Sequence, residues 1–295
     1  MYDASFRQIT IQTSDPGVKI VGRTGGGGPP LLLLHGNPLT HLSWHRVAPR
    51  LARNFTVVAT DLRGYGDSSK PRGREDHGNY SFRRMAQDQV EVMQSLGFRQ
   101  FYIAGHDRGA RTAFRMALDH PDKVLKAAFL DILPTHHVWT HVSMGWAVNS
   151  YHWLFLAQPY DFPEQLLKGN EEYYIREKLM KQGLGKGGFT EEEIREYIRV
   201  CTPEQIHGVC EDYRAAATVD LEMDRADFEA GRKIACPVLV LWGGKSHTEH
   251  HYNPREAWPR YCSNIVRMTA LPCGHYPSEQ APEETYRELH QFFKE

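Results

Sequence analysis

The chain has 295 residues, of which 41% are hydrophobic and 24% are charged. Its 35 basic and 36 acidic residues give a net charge of -1, so the overall charge does not favour nucleic acid or an anionic membrane surface as a partner. No stretch of 18 apolar residues occurs, and the first ten residues do not have the pattern of a secretion leader. We therefore expect a globular, cytoplasmic protein without a membrane segment.

The cysteines are five in number, and no two of them form a C-x-x-C pair. In a chain of this length, an odd number without such pairs argues against a disulfide framework. We expect buried or incidental thiols at Cys201, Cys210, Cys236, Cys262 and Cys273.

Six short apolar runs, each bounded by turn residues, have the length of buried strands. The predicted strands are residues 31–34, 55–59, 101–104, 124–130, 237–242 and 265–271. Residues 110–120 have helix-forming composition and end before Pro121. Strands separated by helical stretches predict a mostly parallel sheet flanked by helices, with right-handed crossovers.

The alternation of strand and helix stops between residues 134 and 233. Aromatic-rich and charged segments with helical character take its place, among them EEYYIREKLMKQGLG (171–185) and TEEEIREYIRV (190–200). We interpret residues 134–233 as a helical cap inserted into a core made of residues 1–133 and 234–295.

Four residues with reactive side chains fall at the carboxyl ends of predicted strands or shortly after them: His35, Asp107, Asp131 and His275. The carboxyl ends of the strands of an open, parallel sheet meet at one edge, and the active sites of such proteins form there. The sequence therefore predicts that these four residues share one edge.

The segment GHDRG (105–109) matches the G-x-nucleophile-x-G turn between a strand and a helix, with Asp107 at its centre. A carboxylate attacks without losing a proton, so it suits displacement of a leaving group from saturated carbon through an ester intermediate. Taken alone, an aspartate between glycines also fits a helix N-cap. The chain order Asp107, Asp131, His275 favours the nucleophile, because this turn is used with that order of nucleophile, acid and histidine.

In the second step that this order predicts, His275 acts as general base on a water molecule and Asp131 orients the imidazole. The water then attacks the carboxyl carbon of Asp107. The oxyanion formed needs preorganised donors, and we expect the backbone N–H groups of Asn37 and Arg108 to supply them.

These motifs resemble the fluoroacetate (haloacetate) dehalogenases of the α/β-hydrolase superfamily. The resemblance runs along nearly the whole chain, through HGNPLTHLSWHRVAPRL, DLRGYGDSSKP, GHDRGARTAFRMALDHP, LDILPT, YHWLFLAQP, EDYRAAATVDLEMD, LWG and GHYPSEQAPEE. It implies the α/β-hydrolase fold with an inserted helical cap, and hydrolysis of small 2-haloacids to 2-hydroxyacids and halide without a cofactor.

The resemblance assigns two further groups of residues. Arg108 and Arg111 would bind the substrate carboxylate, and their position on the first turn after the nucleophile agrees with a paired clamp. The residues that would hold the departing halide all lie in the predicted cap and carry N–H or O–H donors: His152, Trp153 and Tyr213.

Some features depart from related patterns. Arg108 occupies the place after the nucleophile where haloalkane dehalogenases carry a tryptophan, which points to anionic substrates. His247, His250 and His251 could suggest a metal site, but without further ligands we interpret them as a solvated loop and assign no metal.

Two rival functions stay open. An epoxide hydrolase would share the nucleophile and use cap tyrosines as acids, for which Tyr151, Tyr160 and Tyr213 are available. Two buried arginines argue against it, because a neutral epoxide gives them no partner. A ligand sensor without activity is the second rival, since fold does not fix function. We expect a small anionic haloacid as the ligand, no nucleic acid or membrane partner, and a homodimer as the default assembly.

Overall fold

The computed structural model describes residues 2–183, 185 and 188–295. Leu184, which falls in a segment predicted to be helical, lies outside the described residues, as do Met1, Lys186 and Gly187. None of the helices in the described part of the chain has the length and apolar character that crossing a membrane requires.

The centre of the molecule is an eight-stranded sheet within the described residues, in the order β1-β2-β4-β3-β5-β6-β7-β8. The strands are β1 Arg7–Gln12, β2 Lys19–Gly26, β3 Pro30–Leu34, β4 Thr56–Thr60, β5 Phe101–His106, β6 Val124–Leu130, β7 Val238–Gly243 and β8 Ile265–Leu271. β2 pairs antiparallel with β1 and β4, and the remaining pairs are parallel. The predicted mostly parallel sheet is confirmed, with all six predicted strands in place.

The central strands are buried on both faces, as their continuous apolar sequence requires. Leu32 and Leu34 of β3 belong to one hydrophobic cluster, and Leu31 and Leu33 belong to the other. The helices outside the segment between β6 and β7 are α1 Ala48–Leu51, α2 Phe82–Ser95, α3 Arg108–Asp119, α12 His247–His251, α13 Pro254–Ala257, α14 Pro277–Gln280 and α15 Pro282–Lys294. The helix predicted at residues 110–120 is α3, which begins directly after the nucleophile turn.

The segment between β6 and β7 is helical. Its helices are α4 Thr135–Thr140, α5 Met144–Asn149, α6 His152–Leu156, α7 Phe162–Leu167, α8 Glu171–Gln182, α9 Glu191–Val200, α10 Pro203–Ala217 and α11 Val219–Glu229. Local sequence sets some of these ends: Thr190 and Glu193 form a reciprocal capping box at the start of α9. The chain leaves the sheet after β6, covers its carboxyl edge and returns at β7. We call residues 134–233 the cap from here on.

The N-terminal hairpin of β1 and β2 was not predicted. Of the six residues of β1, only Ile9 is buried. This edge strand therefore lacks the apolar run from which six of the other strands were predicted.

Candidate functional site

Asp107 stands in a sharp turn between β5 and α3, with a positive φ of 47° and ψ of -116°. Glycines allow the chain segments around the turn to approach closely. A Cβ on Gly105 would lie 2.4 Å from the carbonyl oxygen of Gly109, and a Cβ on Gly109 would lie 2.5 Å from that of His35. This left-handed, crowded backbone directs the Asp107 side chain away from the sheet and into a cavity under the cap.

The structure brings the three predicted catalytic residues together. His275 Nδ1 lies 2.6 Å from Asp131 Oδ2, and His275 Nε2 lies 4.0 Å from Asp107 Oδ2. The other carboxylate oxygen of Asp131 accepts hydrogen bonds from Ser246 Oγ at 2.6 Å and from the backbone N–H of Gly243 at 2.9 Å. These contacts fix the Asp131 carboxyl group so that it orients the imidazole, and the second nitrogen of His275 faces the nucleophile.

The Asp107 carboxylate is buried and yet kept ionised. Burial by itself would raise the pKa of Asp107, but nearby positive charge, above all that of His275 and also of Arg108 and Arg111, holds that pKa well below its usual value. The backbone N–H of Asn37 donates to Asp107 Oδ2 at 3.0 Å. One carboxylate oxygen is thus fixed by a backbone donor, which leaves the other free to attack.

Arg108 is fully buried and already paired. Its Nε donates to Asp212 Oδ2 at 2.8 Å, its Nη2 donates to the other carboxylate oxygen and to the backbone oxygen of Asp212, and the guanidinium lies over the Tyr213 ring. Despite burial, this ion pair raises the pKa of Arg108 above its usual value. Among the described residues, nothing accepts a hydrogen bond from Nη1. Arg108 therefore has one free nitrogen but little uncompensated charge.

Arg111 has a different environment. Its Nη1 donates to the backbone oxygen of Leu133 at 2.8 Å and to Thr135 Oγ1 at 3.1 Å, both uncharged. Burial and the nearby charge of Arg108 lower the pKa of Arg111 to about 10, so the group stays protonated at neutral pH. Its guanidinium carbon lies 4.5 Å from the centre of the Trp153 ring. No carboxylate among the described residues pairs with Arg111, which brings a positive charge to the cavity that Asp107 faces.

The three predicted halide donors lie close to one another. His152 and Trp153 line the cavity that Asp107 faces, and Tyr213 packs against both rings. The Tyr213 ring lies 5.9 Å, centre to centre, from both the His152 and the Trp153 rings. Asn37 Nδ2 donates to the Tyr213 hydroxyl oxygen at 3.2 Å, so the hydroxyl proton is free to point elsewhere. Burial and the charge of Asp107 raise the pKa of Tyr213 above its usual value, so the phenol keeps that proton.

Asp107 faces a small cavity of about 50 Å³, which we call the catalytic cavity. Residues lining it include Asp107, Arg111, Asp131, His152, Trp153 and His275. One buried water needs on the order of 10–15 Å³ of such space, so the catalytic cavity holds only a few non-hydrogen atoms. A nucleophile, a cation and N–H donors therefore face a volume suited to a very small anion.

His35, which the sequence placed at the same edge, is not part of the catalytic cavity. Its Nδ1 contacts the backbone oxygen of Gly36 at 2.8 Å and its Nε2 accepts from the N–H of Leu62 at 3.0 Å, so it fastens the loop after β3. Burial lowers the pKa of His35 below its usual value, which keeps the ring neutral.

Sequence reasoning missed two residues with clear roles in the geometry. Asp212, which neutralises Arg108, lies in the cap beside Tyr213, and Ser246, which holds Asp131, follows β7. A buried arginine needs a carboxylate partner, and this requirement was the one indication in the sequence of a residue such as Asp212.

The histidine-rich segment predicted to be a loop is the short helix α12. His247 lines the catalytic cavity, and His251 Nε2 lies 3.1 Å from Asn149 Nδ2 of the cap. Burial above all, followed by the neighbouring charge of His275, lowers the pKa of His247 to about 4. His247 and His251 therefore lie between the core and the cap, whereas His250 is exposed as expected.

Within the described chain, His45, Glu193 and Glu279 have ligand atoms within 4.8 Å of one another, the spacing that a cation needs. Arg46 Nη2 donates to both carboxylate oxygens of Glu193, at 2.7 and 2.8 Å. The guanidinium already supplies the positive charge that this group of acids requires.

The sequence profile of the α/β hydrolase fold family matches residues 29–169. A fluoroacetate dehalogenase of Burkholderia sp is 43% identical, covering 98% of this chain and 94% of the relative. A soluble epoxide hydrolase of Corynebacterium sp. (strain C12) is 34% identical, covering 88% of each chain. The structure of an α/β hydrolase from Nostoc sp PCC 7120 superposes with a TM-score of 0.94 at 51% identity, covering 98% of both chains.

Identity of this extent along almost the whole chain exceeds what a shared fold alone would give, and both relatives of known activity are hydrolases. The chain belongs to the α/β-hydrolase family, as an enzyme related to fluoroacetate dehalogenase.

Proposed function

We propose that the enzyme removes halide from small 2-haloacids, such as fluoroacetate or chloroacetate, and releases the 2-hydroxyacid. The observation that carries this proposal is Arg111: a buried cation with no carboxylate partner among the described residues faces the same small cavity as the Asp107 carboxylate. A substrate that satisfies both must bear an anionic group and, a few atoms away, an electrophilic carbon. A 2-haloacid has both within three bonds.

The first step is a displacement. An Asp107 oxygen forms a bond to C2 of the substrate, and the electron pair of the carbon–halogen bond leaves with the halide. The donors of His152, Trp153 and Tyr213 would surround the departing ion. Fluoride needs such help most, because it leaves carbon poorly and gains strong hydrogen bonds as its charge develops.

The second step hydrolyses the ester. His275 Nε2 takes a proton from water while the water oxygen adds to the Asp107 carboxyl carbon. Negative charge then develops on the oxygen that the backbone N–H of Asn37 already contacts. The backbone N–H of Arg108 is the proposed second donor to this oxygen. Collapse of this intermediate breaks the ester bond, and the alkoxide takes the proton back from His275. The Asp107 carboxyl group then releases the remaining proton of the water molecule to solvent, which restores the carboxylate.

The tyrosine positions weigh against an epoxide hydrolase. Tyr151 and Tyr160 are 45% and 62% exposed, whereas Tyr213 is buried beside the catalytic cavity. Only Tyr213, of these three candidates, is positioned to donate to an opening oxygen. A neutral epoxide would also leave Arg111 without an anion.

The test is to trap the covalent intermediate. His275→Asn should accumulate a carboxymethyl ester on the peptide containing Asp107 after incubation with chloroacetate, and mass spectrometry would detect it. His275→Asn combined with Asp107→Asn is the control and should remain unmodified. Fluoride and chloride release by the wild-type enzyme from fluoroacetate and chloroacetate would establish the leaving group.

Hydrolysis of a neutral epoxide without halide release from either haloacid would instead assign epoxide hydrolysis. Absence of both an adduct and turnover would leave the ligand sensor as the better explanation.

A further inference from the structure

A second cavity of about 470 Å³ lies in the cap, and we call it the outer cavity. Its lining includes Tyr151, His152, Tyr174, Lys178, Lys181 and Gln182. His152 and Gln182 line both this space and the catalytic cavity. These two side chains therefore form a common wall, with the predicted halide donor His152 on the boundary.

Lys178 is the unusual residue of the outer cavity. Its side chain is buried, with 6% of the residue exposed, and among the described residues nothing accepts a hydrogen bond from its Nζ. A buried ammonium without a partner is strongly unfavourable, so the folded protein gains whenever an anion satisfies it. Neither step of the proposed hydrolysis uses Lys178.

A second free donor lies beside Lys178. Tyr174 is one helical turn earlier on α8, so the two side chains share a face of the helix. The Tyr174 hydroxyl is also buried and has no hydrogen-bond partner in the described chain. Both residues line the outer cavity, and neither the Lys178 amine nor the Tyr174 hydroxyl has a partner in the described chain, so both can donate to an acceptor.

The charges around the outer cavity favour an anion as well. Lys181, three residues after Lys178 on α8, also lines it, with its Nζ 4.9 Å from the centre of the Tyr151 ring. The acidic residue Glu177 lines the cavity too, but its side chain is exposed and therefore screened by solvent. Burial lowers the pKa of Lys178 to about 7 although Asp107 acts in the opposite direction, and a bound anion would restore the charged form.

We propose that Lys178 and Tyr174 form a second binding site for a small monovalent anion, a halide or a short carboxylate, on the route between solvent and the catalytic cavity. Its place on the route rests on the proposed function, since haloacid and halide are both small anions. Its capacity to bind an anion does not depend on that function. The wall formed by His152 and Gln182 would separate the two anion positions.

Bromide is the probe, because its anomalous scattering locates it in crystals. In wild-type crystals soaked in sodium bromide we expect an ion within hydrogen-bond distance of Lys178 Nζ. Lys178→Met should lose this ion and keep any ion in the catalytic cavity. Lys168→Met, which removes an exposed cap lysine outside the outer cavity, is the matched control and should keep both.

Kinetics add a functional readout. Lys178→Met should raise the KM for chloroacetate roughly threefold to tenfold, through lost electrostatic attraction, with a smaller change in kcat. The Lys168→Met control should match the wild type. A carboxylate on its way in and a halide on its way out are distinguished by adding acetate to the soak: displacement of bromide from Lys178 indicates the carboxylate, and retention indicates the halide.

Wild-type crystals without bromide at Lys178, or kinetics of Lys178→Met equal to those of Lys168→Met, would overturn the proposal. A bromide at Lys178 in an enzyme that releases no halide from haloacids would uphold the anion site and reject the proposed function instead.

Discussion

Arg108 and Arg111 are three sequence positions apart, and yet their surroundings differ. Asp212 neutralises Arg108 within the fold, whereas Arg111 contacts only uncharged oxygens. From the sequence, the two arginines were interpreted as equal parts of a carboxylate clamp. Their spacing places both side chains on one helical turn, but only the tertiary structure shows which partners each of them has. In this geometry, Arg111 supplies the uncompensated charge and Arg108 can add one free N–H.

Replacing Arg111 by Leu is expected to lower kcat/KM for chloroacetate about 10- to 100-fold, mainly through KM, because a charge-assisted hydrogen bond contributes about 1.5–3 kcal/mol. Steady-state kinetics of halide release would measure it. Arg111→Lys, which keeps the charge but loses the planar fork, should recover part of the loss.

Chloroacetamide, which has the same leaving group but no carboxylate, serves as the comparison substrate. Its turnover should fall less in Arg111→Leu than that of chloroacetate. Equal losses for both substrates would show that Arg111 supports the structure of the cavity and does not bind the carboxylate.

At the scale of single elements, the turn between β5 and α3 shows why the loop after β3 must contain glycine. A Cβ on Gly36 would lie 2.5 Å from Asp107 Cβ and 3.0 Å from its Oδ2. The loop and the nucleophile therefore pack too closely for any side chain at that position.

Gly36→Ala should displace the Asp107 side chain or the backbone around Asn37 and reduce kcat at least about tenfold, the order of loss that a misplaced reacting group causes. Gly27→Ala is the matched control, because a Cβ at Gly27 would have no neighbour within 4 Å. The kcat of both variants and their thermal unfolding would be measured together. A Gly36→Ala enzyme with wild-type kcat would show that the loop can move without disturbing the nucleophile.

How far the elements could be predicted depended on how much apolar surface each one buries. β3 and β5 carry apolar runs because both faces of the central sheet are covered. The end of β5 placed Asp107, and the end of β6 placed Asp131, at the same edge. The β1–β2 hairpin buries little on its outer strand and gave no comparable signal. Asp212 and Lys178 could not be assigned roles either, since both depend on how cap helices pack against the core.

At the scale of the whole molecule, a network of polar side chains joins the cap to the core. Arg46 of the core donates to Glu193 of α9, and the Tyr197 hydroxyl of α9 donates to Glu279 Oε1 of α14 at 2.8 Å. Within the described chain nothing donates to the other oxygen of Glu279. Burial, with the nearby charge of Glu193, raises the pKa of Glu279 to about 8.

This shift makes stability depend on pH with a definite sign. The unfolded chain releases the Glu279 proton near its ordinary value of 4.5, whereas the folded protein keeps it until about pH 8. Between these values the folded state binds more protons, so this group lowers the free energy of unfolding as pH rises, by up to about 1.4 kcal/mol per pH unit.

Glu279→Gln mimics the protonated acid and keeps the acceptor for Tyr197, so its stability advantage over the wild type should be small at pH 4.5 and grow toward pH 8. Urea unfolding of both proteins at pH 5, 6.5 and 8 would measure the difference. Glu283→Gln, at an exposed acid paired with Arg50, is the control and should show no growing advantage. A difference independent of pH would mean that Glu279 is ionised in the fold and that Arg46, 3.9 Å away, neutralises it.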